Sequence, residues 1–349
     1  GTYNWFTSTD PDPWHEKLLD VSRLGPAGDF NVALSAPDPL GEAGGSREAT
    51  VTLDRTPTHF ETVALSASVP AGWSATFDMP TLTGFTADTA TLTVTAPPST
   101  PAGSYTIGVT ASEGPHVHSA TRQLVIENDL PTAHAPSAGI AWNIALGATT
   151  GPVLVSWPRA TDPSSRIAAY EVETSVDYGP WMGTVGLAGV ATSAQLTGLL
   201  GHSQRFRVRA EDAAGNWSDW QVGAPLSLAI VQDDRSQMKY SAGWHASADR
   251  WASGGSTRYT IQRGPTVRLT VRARQLAIVG SVARNRGSAA VYVNGVYQGT
   301  ISFFSRVAAS RRVVWTRTFP TDAIRTIEVR ALGTVGRPRI DIDGILVGR

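Results

Sequence analysis

The chain has 349 residues with 29 Lys+Arg against 29 Asp+Glu, a formal charge of zero, and that length supports two or three domains, each with its own core. There is no cysteine, which excludes disulfides, thiol nucleophiles and Cys-based metal sites. No apolar run approaches the roughly 18 residues that a membrane-crossing helix needs.

The zero total conceals a division. Residues 1–230 carry 10 Lys+Arg and 22 Asp+Glu, whereas residues 231–349 carry 19 and 7, so the two parts are −12 and +12. A basic module on an acidic stalk points to a binding device with an anionic partner. With 34 Gly, 22 Pro and only 17% charged residues, and with Thr, Ser, Val and Ala dominant, the composition favours strands and turns.

Residues 1–30 read as a lead-in, with Asp10-Pro11-Asp12-Pro13 followed by a short helix from Trp14 to Arg23 that Gly25-Pro26 ends. The start at Gly1, without Met or a signal peptide, reads as a processed piece of something longer. From Phe30 short alternating runs take over, at Ala49–Leu53, Val63–Val69, Ser74–Phe77, Thr91–Thr95, Tyr105–Ala111 and Gln123–Ile126. Bounded by Pro, Gly and Asp turns, they predict a β-sandwich of roughly 100 residues over 31–130.

Val69-Pro70-Ala71-Gly72-Trp73, Ala90-Thr91-Leu92-Thr93-Val94 and Thr100-Pro101-Ala102-Gly103-Ser104-Tyr105-Thr106-Ile107 give residues 45–127 a resemblance to the Ig-like NEW3 module of bacterial secreted hydrolases. The resemblance implies an accessory spacer, with any catalytic domain upstream of Gly1. After a polar linker at Asn128–Gly139, residues 140–230 resemble a fibronectin type III domain, the domain being counted over 131–230. The matching runs are Val153-Leu154-Val155-Ser156-Trp157, Ile167–Glu173 and Phe206–Ser218. That family places a corner tyrosine whose hydroxyl bonds back to the backbone; Phe206 stands first among the aromatics here, so that hydroxyl is expected to be missing.

In residues 231–349 strands are predicted at Arg258–Gln262, Val267–Val271, Leu276–Val279, Ala289–Val293, Gly299–Phe303, Arg312–Thr318, Thr326–Ala331 and Arg339–Val347, with Asn294-Gly295 as a type I′ hairpin turn. About eight strands in roughly 110 residues imply a jelly roll. Tyr240–Trp244, Arg286–Gly295 and Ile340–Val347 resemble the carbohydrate-binding-module-like jelly rolls appended to bacterial exoenzymes and surface proteins. The expected architecture is therefore all-β, with three consecutive β-sandwich domains: Ig-like, fibronectin type III and jelly roll.

His116-Val117-His118 sets two imidazoles on one strand face, as a metal pair needs, but no third ligand is evident in the sequence and a solvated strand accounts for them. There is no G-x-S-x-G elbow, phosphate loop or dinucleotide fingerprint, and the carboxylates of the acidic part fall in turns and linkers. Catalysis within this chain is not expected.

In the basic third arginine outnumbers lysine 18 to 1. A guanidinium offers a planar fork to carboxylate, sulfate or phosphate, and Arg284, Arg286, Arg306, Arg311 and Arg312 fall in loops where ligand contacts gather. The plain alternative is that arginine stems cover apolar surface. Arg268, Arg272 and Arg274 share one face if their strand is continuous. Among the aromatics, Trp244 and Trp315 read as core and Trp251 has no assigned role. Tyr297 and the Phe303/Phe304 pair are the candidates for stacking on a sugar, one of the adjacent pair facing outward.

Asp233, Asp234, Asp341 and Asp343 sit on the first and last strands, where related jelly rolls hold a structural calcium. The competing reading is pairing with arginines. No other cofactor is expected. The partner is a glycan or other anionic surface polymer, or the protein's own acidic part through self-association. Nucleic-acid motifs are absent, so no designed nucleic-acid partner is expected. A Cys-free, Trp-rich β chain fits an extracellular or cell-surface bacterial protein.

Overall fold

A computed structural model describes residues 28–35, 40–41, 44–57, 59, 61–84 and 88–349, and among them every regular element is a strand. The helix expected at Trp14–Arg23 lies outside the described residues. The chain divides into two compact units, Gly1–Asp129 with Ala213–Asn216, and Leu130–Asp212 with Trp217–Arg349.

The first unit contains β1 (Phe30–Leu34), β2 (Leu40–Gly41), β3 (Ser46–Arg55), β4 (Val63–Ser68), β5 (Ser74–Phe77), β6 (Thr81–Leu82), β7 (Thr89–Thr95), β8 (Gly103–Glu113) and β9 (His116–Ile126). They form two sheets, β1-β3-β7-β5 and β2-β9-β8-β4-β6. Strict alternation sets the core: Ala90, Leu92 and Val94 of β7 are buried, as are Val51 and Leu53 of β3 and Val109 of β8. The threonines between the inward residues of β7 are more exposed. All six runs predicted here are strands.

The second unit begins with β10 (Ser137–Ile140), β11 (Thr150–Ser156), β12 (Ile167–Val176), β13 (Trp181–Ala188), β14 (Ser193–Leu199), β15 (Ser203–Asp212), β16 (Gln221–Val222) and β17 (Leu226–Gln232). In this middle lobe, sheet β10-β11-β14 and the run β13-β12-β15-β17 enclose Trp157, Tyr170 and Phe206. Phe206 is buried without a hydroxyl, as expected; Tyr170 supplies one elsewhere, its oxygen accepting the Ala160 N–H at 2.7 Å.

Arg205, Arg207 and Arg209 alternate along β15 and interleave with aromatic rings. Arg205 lies 4.4 Å from the Tyr178 ring, Arg207 lies 4.7 and 4.2 Å from Trp181 and Trp220, and Arg209 lies 4.7 and 4.2 Å from Trp220 and Trp217. Glu173 and Glu171 pair with Arg207 and Arg209 at 2.5 and 2.6 Å. Each guanidinium–ring contact contributes on the order of 0.5–1 kcal/mol.

The basic lobe follows with β18 (Lys239–Tyr240), β19 (His245–Ala248), β20 (Ser256–Thr260), β21 (Arg263–Val282), β22 (Ser288–Val293), β23 (Val296–Ser302), β24 (Ala309–Leu332) and β25 (Ile340–Gly348). Two pairs of expected strands are each one long strand: Val267–Val271 with Leu276–Val279 is β21, and Arg312–Thr318 with Thr326–Ala331 is β24. Register shifts between Ala273 and Gln275 where β21 meets β24, so the early half of β21 pairs with the late half of β24. The late half of β21 pairs with the early half of β24 and with β25. Such an irregularity bends a strand and lets it serve two sheets. The turn at Asn294-Gly295 has φ of 49° and 79°, both left-handed as the type I′ hairpin requires.

The expected boundary at 230–231 falls inside β17, whose Leu228–Gln232 pairs with Gly344–Gly348 of β25. The late half of β21 has two buried faces. Leu276 and Ile278 enter the basic-lobe core while Ala277 and Val279 enter the middle-lobe core. On β25, Ile345 and Val347 face one core and Leu346 the other. The middle and basic lobes thus form one compact unit with a shared sheet. Gln275, 4% exposed, seals them: its amide donates to the Ala138 carbonyl at 2.8 Å and accepts from the Ile140 N–H at 2.9 Å.

Gln275→Leu removes both bonds and strands two buried backbone groups, an expected loss of about 2–4 kcal/mol. Calorimetry should show residues 130–349 still unfolding in one transition at a lower Tm. Two separated transitions for the middle and basic lobes would contradict the shared core.

Candidate functional site

At one end of the basic lobe three segments converge: the connection between β19 and β20, the end of β21 with its following turn, and the start of β24. Between them lies a cleft of about 430 Å³ lined by Asp249, Trp251, Ser281, Arg286, Ser310 and Arg311, with small residues completing its wall.

Local backbone chemistry shapes this cleft. The Asp249 carboxylate accepts the Trp251 N–H at 2.9 Å and the Ser310 hydroxyl at 3.3 Å, and the Asp249 carbonyl accepts the Ala252 N–H at 2.9 Å. That Asx-type turn turns Trp251 outward, where it is 59% exposed, with the Arg250 guanidinium 4.7 Å from its ring. Arg311 has φ +57°, a left-handed conformation that is uncommon for a non-glycine residue. Its carbonyl is held by the Leu146 N–H at 2.9 Å. The Ser281 hydroxyl is buried with no hydrogen-bond partner among the described residues.

Behind the cleft two carboxylates are buried on β25 with opposite fates. Asp341, 1% exposed, is neutralised by Arg286 and by Arg339, whose nearest nitrogen is 2.6 Å away. Asp343 has no exposure and, among the described residues, accepts only the Ser253 N–H, at 3.0 Å to each oxygen. Burial pushes its carboxyl up to about 6, and the nearby Asp233 and Asp249 push the same way. Burial also raises Asp233, against the Ser256 hydroxyl bond at 3.0 Å. Asp234 is exposed, 3.9 Å from Arg235.

The sequence candidates separate clearly. Arg286 and Arg311 line the cleft. Beside it, Arg284 donates to the Arg306 carbonyl at 3.1 Å, and Phe304, 43% exposed, stacks under Arg337 at 4.5 Å. Three fall elsewhere. Phe303 is fully buried, so as the inward member of its pair it packs the core and cannot meet a ligand. Arg312 donates to the Asn143 carbonyl at 2.6 Å, joining the basic lobe to the middle lobe. Tyr297 is exposed on β23 against Tyr292, 5.5 Å between ring centroids.

Asp341 belongs to an ion cluster with arginines. Sequence reasoning missed Asp249 and the exposure of Trp251; the turn-rich run Ala248–Gly255, with an aromatic at its tip, was the available signal. Chemically the cleft offers an exposed indole, guanidinium donors and a carboxylate acceptor. That combination suits a ring with an apolar face and polar or acidic substituents.

Residues 42–113 match the family described as the NPCBM-associated NEW3 domain of alpha-galactosidase. No curated protein matches the chain. Among solved structures, domains A168–A170 of titin align at 16% identity and TM-score 0.28, over 56% of this chain and 65% of that one. The FN1-FN3 domains of chicken CNTN1 align at 12% identity and TM-score 0.23, over 87% and 99%. A Salmonella alpha-2-macroglobulin mutant aligns at 11% identity and TM-score 0.21, over 92% of this chain and 23% of that one. The described residues are all-β, and the NEW3 match falls within the first unit. No helix of the described residues is long and apolar enough to cross a membrane.

Asp343 carries a pH signature. Its folded value lies above its ordinary 3.8, so the folded state holds the proton more tightly. The stability it lends is full below the ordinary value and is lost as pH rises to about 6, on the order of 3 kcal/mol in all. Asp343→Asn should therefore gain Tm relative to the parent chain progressively from about pH 4 to about pH 7. A Tm difference that stays flat with pH would refute the raised carboxyl.

Proposed function

We propose that this chain is a non-catalytic accessory region of a secreted or cell-surface bacterial protein, whose basic, carbohydrate-binding-module-like jelly roll binds a glycan or another anionic surface polymer. The Ig-like and fibronectin-like parts serve as spacers. The NEW3 match over residues 42–113 supports the accessory role, because that family is described as an associated domain of alpha-galactosidase. One observation carries the binding role: an open cleft where an exposed Trp251 ring stands beside the guanidinium of Arg311 and the carboxylate of Asp249. A pyranose stacks its apolar face on the indole, while its hydroxyl or acidic groups meet the arginine fork.

A calcium ion belongs to the same proposal. Asp233 and Asp343 are buried acids that no basic side chain neutralises by an ion pair among the described residues. The Gln232 amide oxygen beside them is buried without a donor. This all-oxygen set suits a hard cation, whereas Asp341 is committed to its arginines and Asp234 stands in solvent. Bound there, calcium would neutralise the two raised carboxyls. Millimolar CaCl2 is expected to raise the Tm of the parent chain and leave that of Asp343→Asn unchanged; equal shifts would remove calcium from the reading.

The binding test uses the full chain, since the basic lobe shares its core with the middle lobe. In affinity electrophoresis against neutral, uronic-acid and sulfated polysaccharides, retardation by an acidic glycan is expected. Trp251→Ala and Arg311→Ala should each weaken it at least about tenfold, as loss of a central anchor does, with Tm unchanged. Mobility unaltered by every glycan would sink the proposal. The second reading, self-association of the −12 and +12 parts, has the charge division of the sequence in its favour. It requires light scattering to rise as salt is lowered.

A further inference from the structure

We propose that Trp142 and Arg312 form a second glycan subsite, so that one acidic polysaccharide chain lies from the cleft at Trp251 across the seam of the middle and basic lobes. This placement rests on the glycan reading of the cleft and adds which glycans fit. They are long chains gripped along their interior, in place of a terminal sugar seated alone.

The seam is built by backbone pairing. Residues 142–146 run antiparallel to the start of β24. The Leu146 N–H donates to the Arg311 carbonyl at 2.9 Å, the Val313 N–H to the Ile144 carbonyl at 2.9 Å, and the Asn143 N–H to the Val313 carbonyl at 3.0 Å. Ala145, bridged to Arg312, lines the cleft. Trp142 precedes it by only three residues, at most about 11 Å of chain. On the opposite edge the same interval separates Arg311, in the cleft wall, from Val314, beside Trp142.

Local conformation presents the Trp142 ring. Ala141, 5% exposed, and Leu146, 3% exposed, tie the segment down at both ends. Between them Asn143 has φ +62°, a left-handed conformation that asparagine adopts more readily than most residues. Trp142 is 63% exposed, and its indole N–H donates to the Val314 carbonyl at 3.3 Å. The ring is held by one edge while most of its surface meets solvent. An aromatic already fixed in orientation stacks on a sugar at low entropic cost.

Arg312 supplies the charge. Its Nη1 donates to the Asn143 carbonyl at 2.6 Å, which fixes the guanidinium beside the turn that carries Trp142. Among the described residues it pairs with no carboxylate, and its Nη2 has no partner. Arg286 and Arg339, by contrast, share Asp341, and Arg268 and Arg330 share Glu328. A half-buried cation without a counter-ion draws an anionic group. Arg311 lines the cleft and Arg312 follows it toward Trp142, so cations accompany the path from one indole to the other.

The plain alternative is that Trp142 seals the seam. A sealing side chain is covered by what it seals, yet most of this one stays in water, and the apolar packing is done by Leu146 and Val313 in the middle-lobe core. A single sugar on Trp251 does not extend to Trp142. A chain touches both, and its second contact is then intramolecular, so affinity rises with chain length.

Calorimetric titration of the full chain uses two probe series: galacturonic acid with its oligomers up to polygalacturonate, and heparin disaccharide with its longer fragments. In a series that binds, affinity is expected to rise at least about tenfold from the shortest members to the longest. Trp142→Ala should abolish most of that rise and leave the shortest members bound as in the parent, whereas Trp251→Ala weakens both. Trp142→Phe, which keeps a ring, should retain the rise. Tyr178→Ala, which removes another exposed aromatic of the middle lobe, should change nothing. Should Trp142→Ala fail to fold, Trp142→Gln, which keeps an N–H donor for Val314, takes its place. A variant at Trp142 without a ring that binds long chains like the parent overturns the second subsite and leaves the cleft reading standing. Affinity independent of length in the parent overturns it without any variant, and no binding in either series overturns both readings together.

Discussion

A sheet buried on both faces organises residues 130–349. The late half of β21 and the last strand β25 stand between two hydrophobic cores, and every residue of β25 is buried. A strand in that position cannot alternate apolar and polar, since each face must meet a core. Its polar exceptions, Asp341 and Asp343, lie near its first end. There the apolar packing gives way to arginines and to the turn around Asp249, and the cleft opens. The position of the cleft at that end of the basic lobe is therefore set by where the shared sheet stops being apolar.

The same constraint recasts the charge division. The +12 of the basic third is not a uniform field. Arg268 and Arg330 share Glu328, and Arg286 and Arg339 share Asp341. Other guanidiniums cover aromatic rings, as Arg337 covers Phe304 and Arg339 covers Tyr259. Much of the arginine excess thus acts as packing, with stems over apolar surface and forks on buried acids. Arg311, by contrast, lines the open cleft.

Legibility followed periodicity. Strands with one wet face, such as β7 with its threonines outward, were plain in the sequence, as was the Asn294-Gly295 hairpin. The apolar runs Leu276–Val279 and Ile345–Val347 were read as strands, but not as strands with a core on either side. Nothing in a local window tells a second protein face from solvent when the residues are uniformly apolar. The breaks expected within β21 and β24 were bends, because a register irregularity interrupts the pattern much as a turn does. For the cleft, two of the five loop arginines line it. Phe303, Arg312 and Tyr297 fall outside it, since which way a loop residue points depends on what packs behind it.

Composition, alternation and turn residues by themselves determined an all-β chain of sandwiches, the absence of any disulfide, and the place where acidic gives way to basic. Those properties are local or additive along the chain. Tertiary structure decided the rest: the fusion of two expected domains through β17, β21 and β25, and the meeting of Asp249, Trp251 and Arg311. Each of these joins residues far apart in the chain, and strand pairing across such separations is fixed by which faces can be buried together.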